Sequence, residues 1–256
     1  MVKNTLETLY PDINKYNDTK NAHYITVSDN TINLRTYVTF PTTDAYKVFP
    51  GTDFTYAQVI ENGIESRWTT ELLGSEYDFV KGMKIKVNMN IIPIECLPLF
   101  DTQRYIQINV YDYFDIPRTI YEQFFWHTVR NISHPGYINM YTGDSRNDHL
   151  YNYIEYQGTV AHEFGHTLLL GDAYFSSPIT GNQLTSNDEI AQGNFGCDGS
   201  IMYSNGKVYA NDIEMVLEAF IKNSSQDYYT MLANSEHGEL TKSNVIRHSQ
   251  VFDVNP

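Results

Sequence analysis

The stretch Ala161-His162-Glu163-Phe164-Gly165-His166 constrains this chain more than any other, because its His-Glu-x-x-His spacing becomes chemistry only on a helix. Residues four apart on a helix lie one turn above each other, so His162 and His166 can offer two imidazoles to one metal ion. With His162 at zero and about 100° per residue, His166 falls near roughly 40° and Glu163 near roughly 100°, beside the ligands and within reach of a metal-bound water. Leu150, Tyr153, Val160, Ala161, Phe164 and Leu168 project between roughly 140° and 260°, an apolar stripe that would anchor the opposite face.

Chance is a poor account of the motif. With eight histidines in 256 residues, roughly 0.01 random matches are expected before any helical context is demanded. A purely structural zinc site usually closes its shell with four Cys or His ligands, and Cys96 and Cys197 both lie outside the motif. An open site needs a third protein ligand and a position for water. Asp172 stands six residues after His166.

Taken with the downstream run Ser200-Ile201-Met202-Tyr203, these residues resemble the metzincin clan of zinc-dependent metallopeptidases. The clan's extended motif is His-Glu-x-x-His-x-x-Gly-x-x-His, with Asp as the last ligand in some bacterial members, and a Met-turn places a methionine beneath the metal. The chain departs from that pattern twice. Leu169 occupies the place of the helix-ending glycine and Asp172 that of the third histidine, so Gly171 is expected to turn the chain out of a helix ending near Leu170.

The resemblance implies one metallopeptidase domain over residues 1–256, of the α+β class and two-lobed. An N-terminal lobe, about residues 20–170, would carry a mixed sheet and the active-site helix at the cleft; a C-terminal lobe, about 171–256, would be mainly helical and irregular. It implies Zn2+ held by His162, His166 and Asp172, with Met202 in the Met-turn and Glu163 as the general base acting on protein or peptide substrates. Tyr203 and Tyr209 are both candidates to stabilise the oxyanion. Glu189, in Asn187-Asp188-Glu189, is the rival third ligand, because thermolysin-like peptidases draw theirs from a glutamate on a following helix. Two other readings share these residues: an inactive zinc-binding interaction module, and a peptidase toxin domain of a larger delivered polypeptide.

Composition narrows the partners. Seventeen Lys and Arg against 31 Asp and Glu give a formal charge of −14, which disfavours nucleic acid and anionic membranes. The apolar runs are too short to span a bilayer, and Met1–Thr5 lacks the apolar segment of a secretory signal; the expectation is a cytoplasmic protein or one exported by a non-standard route. Two cysteines make no disulfide framework. Oligomeric state is not legible.

Along the chain, Tyr24–Val27 and Ile32–Val38 flank Asp29-Asn30 as a hairpin. After Pro50-Gly51, Thr52 or Asp53 would cap a helix to about Trp68, with Phe54, Ala57, Ile60, Ile64 and Trp68 on its apolar face and Gly63 weakening it. Met83, Ile85, Val87, Met89 and Ile91 alternate with polar residues as a half-buried strand. Residues 105–111 and 137–141 read as strands, 116–132 contains a possible helix from Thr119, and 211–223 is an amphipathic helix through Ile213, Val216, Leu217 and Phe220. His23, His127, His134, His149, His237 and His248 lack partner spacing and read as surface or supporting residues. Asp144 and Asp148 fit no EF-hand pattern and read as loop or capping residues.

Overall fold

The structure is a computed structural model that describes residues 5–11, 13–18, 20–74, 83–95, 104–121, 123–124, 127–128, 131–146, 148–172, 201–226 and 251–253. It is an α+β arrangement built on a mixed sheet. In chain order the strands are β1 (His23–Ser28), β2 (Thr31–Thr39), β3 (Thr70–Gly74), β4 (Lys84–Pro93), β5 (Ile106–Phe114), β6 (Arg118–Ile120), β7 (Gln123–Phe124), β8 (His127–Thr128), β9 (Tyr137–Asp144), β10 (His149–Leu150) and β11 (Val251–Asp253). The helices are α1 (Leu6–Leu9), α2 (Tyr56–Trp68), α3 (Tyr153–Thr167), α4 (Ile201–Ser204) and α5 (Ala210–Lys222).

The main sheet runs β10-β9-β5-β2-β4-β3-β11, with β1 paired to β2 and β6 paired to β9. β2 lies parallel to β4 and β5, and β5 parallel to β9, whereas β1, β3 and β6 join antiparallel. The hairpin forms as the sequence predicts, Ser28 pairing with Thr31 across Asp29-Asn30 and Asp29 taking φ 52°. In β4 the buried residues are Ile85, Val87, Met89 and Ile91, the alternation that period two requires.

Register places one apolar row beside another: Val87 by Ile32, Met89 by Leu34, Ile108 by Ile138 and Val110 by Met140. This face meets α2, which packs in turn on α3. The alternate positions carry polar pairs, Asn33 with Asn88 and Asn109 with Asn139, and the Arg35 guanidinium lies 4.8 Å from the Tyr24 ring centroid. Gly63, a weak helix former, is explained by that crossing: a Cβ there would stand 2.9 Å from Gln157 Cα of α3.

Three expectations are corrected. α2 is capped by Thr55, whose side chain accepts from Gln58 N, so Phe54 precedes the helix and is exposed. Leu150 likewise lies before α3, on β10, and is exposed; the buried stripe runs through Tyr156, Val160, Ala161 and Phe164 and continues past the helix end to Leu168. No helix starts at Thr119: residues 118–120, 123–124 and 127–128 form β6, β7 and β8. Asp144 has the loop role expected of it: its carboxylate accepts from Arg146 N, Nε and Nη2. Among the described residues, no helix is long and apolar enough to cross a membrane.

Candidate metal centre

The helix that carries the motif starts at a capping box. Asn152 accepts from the N–H groups of Ile154 and Glu155, and the Glu155 carboxylate returns to Asn152 N. Such a cap is worth about 1 kcal/mol. The far end closes in a Schellman pattern: Leu169 N donates to His166 O at 3.0 Å and Leu170 N to Gly165 O at 3.2 Å. The residue that takes the left-handed conformation is Leu169, at φ 71°. The expected turn at Gly171 is therefore wrong: α3 ends at Thr167, and the reversal occurs two residues earlier, at the position the clan gives to glycine. Leu169 is almost wholly buried, and burying a leucine is worth about 1.5–3 kcal/mol, which offsets the roughly 1–2 kcal/mol cost of left-handed backbone in a side-chain-bearing residue.

This reversal brings Asp172 back over the helix. Its Oδ1 lies 3.2 Å from His162 Nε2 and 3.2 Å from His166 Nε2. One ligand atom from each of the three residues lies within 4.8 Å of the others. Each imidazole is fixed through its other nitrogen: Nδ1 of His162 donates to Ile201 O at 2.8 Å, and Nδ1 of His166 donates to Leu170 O at 2.9 Å. Donation at Nδ1 leaves each Nε2 as the atom turned to Asp172, and on losing its proton that nitrogen offers the lone pair a metal ligand needs. Both Nε2 atoms thus face one carboxylate oxygen. The spacing suits a cation: bonds of roughly 2.0–2.1 Å at tetrahedral angles put neighbouring ligand atoms about 3.3 Å apart.

Electrostatics of these side chains point the same way. Burial alone would lower the His166 pKa, but the bond to Asp172 and the charges of Asp172 and Glu163 outweigh it and push it up to about 9. Burial alone would raise Asp172, yet its bonds to His162 and His166 hold the carboxyl well below the usual range. The pocket favours positive charge at its centre.

Glu163 is 7% exposed, and its Oε2 lies 2.9 Å from Thr119 Oγ1 on β6. Met202, on α4, lies against the helix at Gly165: a Cβ there would collide with Met202 Sδ and stand 3.2 Å from a Trp68 ring carbon. Gly165 is therefore fixed by close approach. Trp68 Nε1 donates to Ala161 O at 3.0 Å, and the Trp68 and Phe164 rings meet edge to face at 6.1 Å.

Of the predicted site residues, His162, His166, Asp172, Glu163 and Met202 are brought together. Glu189, Cys96, Cys197, His237 and His248 lie outside the described residues. Nothing is described of the Tyr203 side chain, and Tyr209 caps α5, its N–H donating to Asp212 Oδ2 at 2.7 Å. Sequence reasoning missed Thr119, Tyr121, whose hydroxyl donates to His166 O at 3.2 Å, and His23, which binds Thr167 O from beneath. It also missed Gln226: its N–H donates to Leu169 O at 2.9 Å and its carbonyl accepts from Gly171 N at 2.8 Å, so the chain after α5 pairs with the run leading to Asp172. Compared with known protein families, curated proteins and solved structures, the chain finds no match.

Proposed function

We propose that the chain is a zinc-dependent endopeptidase with a metzincin-like site: His162, His166 and Asp172 hold the metal, Met202 lies beneath it, and Glu163 is the general base. The reading extends to the two-lobed architecture that such a site implies, in one domain. A single observation carries it. Two imidazoles committed through Nδ1 to backbone carbonyls turn their Nε2 atoms on one carboxylate oxygen, with a buried glutamate next to them in sequence.

Bound there, zinc would lower the pKa of its water and polarise the scissile carbonyl. The protein's own contribution is positional. Glu163 takes a proton from the attacking water and returns it to the leaving amine, so no covalent enzyme intermediate forms. Burial of Glu163 and His162 strengthens each charge interaction at the reacting centre. Asp172 adds a negative charge where a third histidine would be neutral, which makes the nucleophilic water less acidic than in a three-histidine site.

Glu163→Ala separates binding from chemistry. The variant is expected to keep its fold and zinc and to lose turnover by roughly 10²-fold or more. Peptide cleavage by Glu163→Ala at the parent rate contradicts the assignment.

A further inference from the structure

We propose that Thr119 is a positioning residue for this reaction: its hydroxyl holds Oε2 of Glu163, leaving Oε1 as the oxygen that takes and returns the proton. The inference rests on the peptidase reading above.

Thr119 Oγ1 lies 2.9 Å from Glu163 Oε2 and 2.8 Å from Glu163 O. One hydroxyl hydrogen cannot serve both acceptors. The backbone carbonyl belongs to the helical ladder of α3, whereas a carboxylate oxygen is charged and forms the stronger bond. The hydrogen therefore goes to Oε2.

The sheet makes this donor rigid. In β6, Arg118 pairs with Asn139, Thr119 with Ile138 and Ile120 with Tyr137, so Thr119 shares a face with Ile138 of the core-facing row. Threonine is branched at Cβ and stiff about χ1. A second hydroxyl, that of Tyr121 just past the end of β6, donates to His166 O, one turn along the same helix. β6 is thus registered on α3 at the two turns that carry the proposed chemistry.

A glutamate carboxylate turns in a broad, roughly two-fold torsional well. A general base works only within hydrogen-bond reach of its proton, so pinning one oxygen removes unproductive orientations before substrate arrives.

The test compares Thr119→Val, which keeps the shape and loses the hydroxyl, with Thr119→Ser, which keeps the hydroxyl, in the full zinc-loaded chain. Thr119→Val is expected to lower kcat about tenfold at unchanged KM, zinc content and melting temperature. Thr119→Ser should recover most of the loss. In the metal-free protein at one fixed pH, the carboxyl 13C signal of Glu163, assigned through Glu163→Gln, should shift or broaden in Thr119→Val and stay in place in Thr119→Ser. A Thr119→Val variant with parent kcat and an unmoved signal, in a protein that cleaves peptides, overturns the role of Thr119 and leaves the peptidase reading standing. Raised KM with lost zinc or lowered melting temperature makes Thr119 a packing residue and also overturns it. If the zinc-loaded parent cleaves no peptide, both fail.

Discussion

His23 lies fully buried at the start of β1, where Thr36 Oγ1 is 2.8 Å from Nδ1 and Thr167 O, the last carbonyl of α3, is 2.9 Å from Nε2. A neutral ring satisfies both: Nε2–H donates to the carbonyl and Nδ1 accepts from the threonine hydroxyl. Burial depresses its pKa from 6.5 to about 4, against the opposing pull of Thr167 O. Between those values the unfolded chain binds a proton that the folded one refuses, so stability is full above pH 6.5 and falls as pH drops toward 4, by about 3 kcal/mol. His23→Phe should start less stable, because it orphans Thr167 O, but show a flatter profile across that window. Denaturant titrations of both proteins at pH 7 and pH 4.5 check this; parallel profiles would mean that His23 is not the titrating group. His162, Glu163 and His166 were legible because their meaning is local, a spacing within one helix. His23 was not: its partner is 144 residues away, and a solitary histidine carries no periodic signal. Leu169 misled for a different reason. Backbone preference assigns the reversal to glycine, and only the surrounding core shows why a leucine endures it.

Elements with a sustained period were read correctly, β4 by its alternation and α5 by Ile213, Val216, Leu217 and Phe220, all buried. The segment after Ile116 was read wrongly because β6, β7 and β8 are two or three residues long. Strands that short express no period, and pairing with a neighbour decides their form. The pairing of Gln226 with Leu169 and Gly171 was equally invisible, since it joins separate stretches by backbone groups alone. It has a consequence for the proposed metal centre. The Schellman turn delivers Asp172, and Gln226 braces that turn from the far side. Gln226→Pro removes the N–H that reaches Leu169 O, and should weaken zinc binding by roughly tenfold, equivalent to about 1.4 kcal/mol, with α5 intact by circular dichroism. Unchanged affinity in a metal-competition titration would show that α3 presents Asp172 without the brace.

At the scale of the whole molecule, one sheet face covered by α2 and α3 holds the motif helix from several directions. Trp68 reaches Ala161 O, His23 reaches Thr167 O, Ile201 O receives His162, and β6 meets Glu163. Four parts of the chain distant in sequence converge on one helix, an organisation expected of a preformed site. The sequence foretold an α+β class and a helix that carries His162 and His166. It did not foretell the supports, because each is a single long-range contact and leaves no pattern along the chain. The central claim is that His162, His166 and Asp172 hold one zinc ion, and a crystal structure of the zinc-loaded protein, with the metal identified by its absorption edge, tests it most directly. The account predicts zinc about 2.0–2.1 Å from Nε2 of both histidines and about 2.0–2.2 Å from an Asp172 oxygen, with an open position for water. Asp172 far from the metal with Glu189 or a histidine of the C-terminal tail in its place, iron in place of zinc, or no metal bound to His162 and His166 would contradict it.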